Sequence, residues 1–320
     1  MGGSGENSEQ GAPTSAELCE MALAELRESE SVRVHALSQM RDWISKHPDI
    51  KHCRTDTPFL LRFLRTKKFS VPQAQEMLER YLIIRQMYPK WFHKLDVNDP
   101  AISDILDSGY LIPLPERDSD GRKVIISCAG KFDPVKHSST EMARVHSLVV
   151  ESLMDDPENQ IRGYTYVNDE SGLTMGHICL WSFNDIRNML RCIQNSTPMR
   201  HKSTHFINIP ACANKVFDFI ASLLSDKLRK RFMIHSTLDD LKKTVNPKIL
   251  PKEYGGEVPL SDIIADYKKE LQSRREELLA LDDLEIDLNS ILDRRSKYTI
   301  DLVDEPLNGI SGSFRKLEVD

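Results

Sequence analysis

Leu18, Met21, Leu23 and Leu26 fall on one helical stripe, and Val34, Leu37, Met40, Trp43 and Ile44 on a second. Residues 14–46 are therefore predicted helical. From Asp56 to Lys94 the helical period returns in three short pieces. Phe59, Leu60, Phe63 and Leu64 repeat at i, i+1, i+4 and i+5. Phe69-Ser70-Val71-Pro72 reads as a stop and restart, with Ser70 a candidate N-cap and Pro72 at an early helical position. Ala74, Met77, Leu78, Tyr81, Leu82 and Ile84 continue the apolar face. Residues 14–95 thus form a helical lobe. Beyond it the period changes. Short β-branched or aromatic runs occur at 123–127, 163–168, 203–208 and 231–235, separated by long amphipathic stretches at 140–155, 182–195 and 211–230. Strands separated by helices predict crossover connections and a mainly parallel sheet. Ile263, Ile264, Tyr267, Leu271, Leu278 and Leu279 mark a last helix from Ser261 to about Leu281.

Composition narrows this picture. The chain has 320 residues, 40% hydrophobic and 29% charged, enough for a large core in an ordinary globular protein. Its net charge of −6 argues against a protein that coats nucleic acid. No run of 18 apolar residues is present. Residues 1–13 are polar and glycine-rich, expected to be disordered and to carry no secretory signal. Six dispersed cysteines without a CxxC pair fit a reducing cytosol better than a disulfide framework. The charge is uneven: residues 54–94 carry +6, residues 200–252 carry +7 and residues 253–320 carry −8. Two basic islands on an acidic chain are either solvated faces or docking surfaces for something anionic.

Enzyme signatures do not assemble. There is no GxSxG, Walker loop, GxGxxG or HExxH, and no set of nucleophile, base and orienter. His201 and His205 stand at i, i+4, but at a strand entry, where that spacing does not join two metal ligands. Cys212 reads as a buried structural thiol. Asp169-Glu170-Ser171-Gly172 is by itself an acidic turn with a permissive glycine. Residues 211–224 carry more. Val216, Phe217, Ile220, Leu223 and Leu224 share one helical face, followed at once by Lys227, Arg229, Lys230 and Arg231. Such a helix is either core with a basic C-terminus or a lid over an apolar cavity with a basic rim.

Phe59-Leu-Leu-Arg-Phe-Leu-Arg65-Thr-Lys-Lys-Phe69 and Ile249-Leu-Pro-Lys-Glu-Tyr-Gly-Gly-Glu257 resemble the two hallmark segments of the CRAL-TRIO lipid-transfer family. Asp169-x-x-Gly172 and Phe206-Ile-Asn-x-Pro210 fall between them in the expected order. The resemblance covers roughly residues 15–280 and is greatest to the branch of alpha-tocopherol transfer protein and cellular retinaldehyde-binding protein. It implies an α/β fold: a helical N-terminal lobe and a mixed α/β lipid-binding lobe with a mobile gate helix, here Ala211–Leu224. The implied organisation is a disordered N-terminus at 1–13, the helical lobe at 14–95, the lipid-binding domain at 96–260, a C-terminal helix at 261–284 and an acidic tail at 285–320, dispensable for ligand binding. The branch's phosphoinositide-binding positions fall on Arg200, Lys202, Lys227 and Arg231. Cavity and gate positions fall on His146, Val150, Val216, Phe217, Ile220, Leu223 and Leu224. Here an aromatic of the tocopherol carrier is replaced by Ala143, and two small hydroxyl residues by His146 and Val150, so volume and polarity differ. His146 either faces the ligand as a polar anchor or is bonded to protein.

The function implied is a soluble, non-enzymatic carrier. It binds a lipophilic small molecule, retinoid or tocopherol-like, and transfers it at phosphatidylinositol bisphosphate membranes. No metal or other cofactor and no nucleic acid are expected. A monomer is expected, in the cytoplasm with peripheral association to endosomal or other phosphoinositide-bearing membranes. The alternatives are a phospholipid or phosphoinositide exchange protein and a phosphoinositide-binding trafficking adaptor.

Overall fold

The computed structural model describes Pro13 and residues 15–293. Apart from Pro13, the stretch expected to be disordered lies outside the described residues, as do Thr14 and the acidic tail from residue 294. The helical lobe opens with Ala16–Met21 and a wider turn at Ala22–Leu26, where Leu18, Ala22 and Leu26 are buried and Leu23 is exposed. Helix α1 (Glu30–Lys46) is capped by the Ser29 hydroxyl, strand β1 (Ile50–His52) follows, and α2 (Thr57–Thr66) is capped by the Asp56 carboxylate. Helix α3 (Val71–Met87) starts at the predicted restart, with Ser70 at the N-cap but no bond from its side chain. Helix α2 is buried on every side, Arg62 and Arg65 included.

Helix α4 (Pro100–Ser108) leads into β2 (Leu111–Arg117) and β3 (Lys123–Cys128). Then come α5 (Ser139–Leu153), with a Ser138/Glu141 capping box, β4 (Tyr164–Asp169), α6 (Phe183–Arg191), β5 (His201–Ile207), α7 (Asn214–Leu223), β6 (Phe232–His235) and α8 (Leu260–Ser273). The five strands β2 to β6 lie in chain order in one sheet. β2 and β3 are antiparallel and the other neighbours parallel. β4 meets β5 with a slip of one residue: Tyr164 faces His201, but Thr165 faces Ser203.

One apolar core runs through both lobes, from Ala36 through Phe59, Leu82, Val145 and Val167 to Leu271. The chain then returns to the helical lobe. Strand β7 (Glu285–Ile286) pairs antiparallel with β1, and Ile286 and Ile291 are buried. Residues 285–291, expected to open a dispensable acidic tail, are thus packed on the lobe. The predicted last helix is broken at Arg274, continuing as Arg275–Leu279. Cys212 corrects a second expectation: its thiol is exposed, in the 3-10 turn Ala211–Ala213 whose buried residue is Ala213.

Candidate functional site

Three of the family segments, residues 169–172, 206–210 and 254–256, meet one another, and of these Phe206 also lines the apolar cavity. The Asp169 carboxylate accepts the Ser171 hydroxyl (2.6 Å) and amide (2.9 Å), the Asn208 side-chain amide (2.9 Å) and the Tyr254 hydroxyl (2.7 Å). Asn208 sits at φ +57°, a left-handed position that Asn tolerates. A Cβ on Gly256 would collide with the Leu250 carbonyl. Asp-x-x-Gly, Phe-Ile-Asn-x-Pro and Tyr-Gly-Gly are therefore one bracket, locking the ends of β4 and β5 to the loop before α8.

Beside that bracket Glu170 is half-buried. Burial and the neighbouring Asp169 charge raise its carboxyl from 4.5 to about 7. A raised folded-state pKa makes its contribution full below about pH 4.5 and lost as pH rises through about 7. Glu170→Gln is therefore expected to match the wild type in stability near pH 5 and exceed it at pH 8 by up to about 3 kcal/mol. Urea unfolding at the two pH values measures this; equal stability at pH 8 would show the carboxylate to be well solvated.

On one face of the sheet lies a cavity of about 310 Å³. Helix α5 contributes Ala143, His146, Ser147 and Val150. The sheet contributes Tyr166, Asn168, His201, Thr204, Phe206 and Phe232. Met189, Leu190 and Ile193 close one side, and Leu224 and Leu228 another. His146 is on the wall, but its Nε2 pairs with the Tyr110 hydroxyl at 3.0 Å. Burial pushes its pKa down to about 4, so the imidazole is neutral. Val150 is also a wall residue.

The gate segment is more loosely held than the walls. Neither α6 nor α7 has a fully buried residue. Val216 and Phe217 rest on a small cluster around Ile178 and Ala213. The Phe217 ring meets Phe206 edge-on at 5.2 Å, and Phe219 meets Phe183 at 5.1 Å. Of the five gate positions only Leu224 lines the cavity; Val216, Phe217, Ile220 and Leu223 lie outside the wall. The Gln194 side chain fastens the end of α7. Its Nε2 donates to the Leu223 carbonyl (3.1 Å) and its Oε1 accepts the Ser225 amide (2.9 Å).

The slip in β5 resets its side-chain alternation. His201, Thr204 and Phe206 face the cavity, whereas Lys202, Ser203 and His205 face away. His201 and His205 thus point to opposite faces. His205 Nδ1 instead meets His235 Nε2 at 2.9 Å. Among the described residues no cluster of three metal-ligating side chains occurs. Sequence reasoning set His201 aside as a metal ligand and missed its place in the cavity; the slip that puts it there leaves no trace in the residue pattern.

Outside the cavity the four predicted cations come together. Arg200 and Lys202 both donate to one Glu25 oxygen, at 2.6 and 2.9 Å. Arg200 also donates to the Ile161 carbonyl and Arg231 to the His201 carbonyl. Burial, then the charges of Arg231, Lys68 and Arg200, pulls the Lys227 ammonium below its usual value. Burial and the charges of Arg200 and Arg122 do the same to Arg231. Cations that depress one another gain when an anion arrives. Glu25 is one such anion: burial alone would raise its carboxyl, but Lys202 and Arg200 outweigh this and hold it at about 2. Its segment is anchored by Leu18, Ala22 and Leu26 on Ile161, and by Glu17 on Arg162 at 2.8 Å.

The other basic island behaves differently. Arg62, Arg65 and Arg85 of residues 54–94 are fully buried. Arg62 binds Glu151 (2.8 Å) and Asp155 (2.6 Å), Arg65 grips Glu28 with two nitrogens (2.7 and 2.9 Å), and Arg85 reaches Glu151 at 3.3 Å. These three of the island's nine cations are internal glue, while Lys68 of the same island faces Lys227.

Known proteins are similar to both lobes of the chain. The CRAL/TRIO domain matches residues 107–256, and the Pinta-like UBA domain residues 29–102. Clavesin-1 of Pongo abelii is 34% identical over 250 residues, 78% of this chain and 71% of its own. Clavesin-2 of Homo sapiens is 32% identical over 250 residues, 78% and 76% of the two chains. Among solved structures, that of Sfh5 covers 85% of this chain and 100% of its own, at 13% identity and a TM-score of 0.47, too slight a likeness to carry an argument.

Proposed function

The chain belongs to the CRAL/TRIO lipid-binding family, and from this premise we propose that it is a non-enzymatic carrier that releases a lipophilic small molecule at phosphoinositide-bearing membranes. The observation that carries the reading is the juxtaposition of two compartments on β5. An apolar cavity lies on one side of the strand and a cluster of cations on the other, with a weakly packed amphipathic helix beside both. A retinoid or tocopherol-like isoprenoid suits a cavity with this lining. The cluster of Arg200, Lys202, Lys227 and Arg231 suits a bisphosphorylated headgroup. No described helix is long and apolar enough to cross a membrane, which accords with peripheral attachment from the cytoplasm, at endosomal or similar surfaces.

An exchange protein for whole phospholipids would need charged partners for a headgroup inside the cavity. The acidic wall residue Glu151 is already engaged by Arg62, Tyr81 and Arg85. A trafficking adaptor would keep the cation cluster but have no use for the cavity. Native mass spectrometry of protein purified from its own tissue tests all three. A bound neutral lipophile supports the carrier, a bound phospholipid the exchanger, and an empty cavity that also refuses tocopherol and retinol the adaptor.

The gate has its own test. Opening exposes the apolar side of α7 next to Lys227 and Arg231, an arrangement that favours insertion into an anionic interface over contact with water. The open state then has a lower free energy at a membrane than in solution. Phe217→Asp is expected to leave the fold intact, speed ligand loss in solution several-fold and reduce transfer to anionic vesicles. A folded Phe217→Asp protein with wild-type transfer would make α7 ordinary packing.

A further inference from the structure

Several polar groups of the cavity wall are engaged by protein. His146 Nε2 has Tyr110, and Glu151 has two arginines and a tyrosine. Asn168 accepts from Ser127 (2.8 Å) and donates to the His205 carbonyl (3.2 Å). Thr197 donates to the Cys192 carbonyl at 3.1 Å. His201 differs: its Nε2 is buried and meets no hydrogen-bonding partner among the described residues. Its ring lies 5.5 Å from that of Tyr166. Among the described residues the Tyr166 hydroxyl has only the Met199 sulfur at 3.8 Å, a weak acceptor.

A buried imidazole nitrogen without a partner forfeits its hydration with nothing in return, a cost that native structures rarely leave standing. The register slip in β5 turns this ring inward, because regular alternation would have placed His201 with Ser203 and His205 on the opposite face. Two unsaturated polar groups therefore stand together at the end of the cavity nearest the cation cluster, where Arg231 donates to the His201 carbonyl.

On the carrier reading above, we propose that the ligand is an uncharged lipophile bearing one hydroxyl or carbonyl group, which His201 Nε2 and the Tyr166 hydroxyl hold at that end of the cavity. A neutral imidazole offers one donor and one acceptor, and a phenol offers both, so the pair serves either group. Burial and the Arg231 charge hold the His201 pKa down to about 4, in keeping with a neutral partner. A carboxylate would find no Lys or Arg among the described wall residues, at a large desolvation cost.

The test uses three probes with one carbon skeleton: all-trans-retinol, its hydrocarbon analogue axerophthene, and retinoic acid, each titrated against the full chain. The wild type is expected to prefer retinol to axerophthene by about tenfold, the worth of one net hydrogen bond. His201→Leu is expected to erase most of that preference while still binding axerophthene, which reports an intact cavity. His201→Gln, which keeps an amide near Nε2, is expected to restore it, and Tyr166→Phe to reduce it. An undiminished preference in His201→Leu would overturn the inference and leave the carrier reading standing. So would wild-type preference for retinoic acid, since a charged head would then be the cargo. Failure of the wild type to bind any of the three would overturn the carrier reading itself, and the inference with it.

Discussion

Glu151→Ala is expected to destabilise the protein by about 3–5 kcal/mol, the loss typical of stripping one partner from a buried ion network. Glu151 is 3% exposed and takes hydrogen bonds from Arg62 (2.8 Å), Tyr81 (2.7 Å) and Arg85 (3.3 Å). All three donors are within 2% of complete burial. Arg62 would retain Asp155, but Arg85 would keep only the carbonyls of Phe92 and Leu281 and a distant Asp282 at 3.8 Å. A guanidinium cannot shed its proton to escape, so the uncompensated charge stays in the core. The network joins α2 and α3 to α5, so its loss weakens the junction between the helical lobe and the cavity wall. Urea unfolding with an unchanged m-value would measure the loss. A change below about 1 kcal/mol would mean that water reaches the network and that the lobes are held by apolar contact alone.

Lys227→Ala with Arg231→Ala is expected to weaken binding to vesicles containing bisphosphorylated phosphatidylinositol by about thirtyfold. Each cation near such a surface contributes about 1 kcal/mol, and two together about 2 kcal/mol. Lys227 is exposed and can be removed without disturbing packing. Arg231 also donates to the His201 carbonyl, so Lys227→Ala alone, with about a fivefold effect, separates charge from structure. Retinol loading should be unchanged in both variants. Wild-type vesicle affinity of the double variant at physiological salt would remove the cleft from the proposed function.

The pattern of the chain carried the parallel strands and the long helices, because both are set by local period. β2 was not legible. Leu111-Ile-Pro-Leu-Pro-Glu-Arg117 holds two prolines, which argue against a strand, but β2 is at the sheet edge, where missing donors do no harm. β1 and β7 are three and two residues long, too short to show a period. The Arg62 and Arg65 side chains looked like part of a basic surface because their partners, Glu28, Glu151, Asp155 and Gln160, are remote in sequence. The family signatures identified the fold correctly, yet in space they brace it. Periodicity likewise found the apolar side of α7 without showing that Leu224 alone reaches the cavity wall. His201 was hidden most completely, since one extra residue in a strand exchanges its faces.

Glu25 changes how the cation cluster responds to its surroundings. It is joined to the same chain as Arg200 and Lys202, so its effective concentration at the cluster is high and does not dilute. A lipid phosphate arriving at these two residues exchanges with a carboxylate already there and does not fill an open site. Such an exchange leaves fewer small ions to be released, and salt screens the resident pair together with the incoming one. Attachment to anionic vesicles should therefore fall less steeply with ionic strength than four open cations would dictate. If the cluster docks on phosphoinositides as proposed, a multivalent phosphate can outbid the single carboxylate, whereas a monovalent headgroup has little to gain, so the tethered carboxylate would set a valence threshold for the membrane.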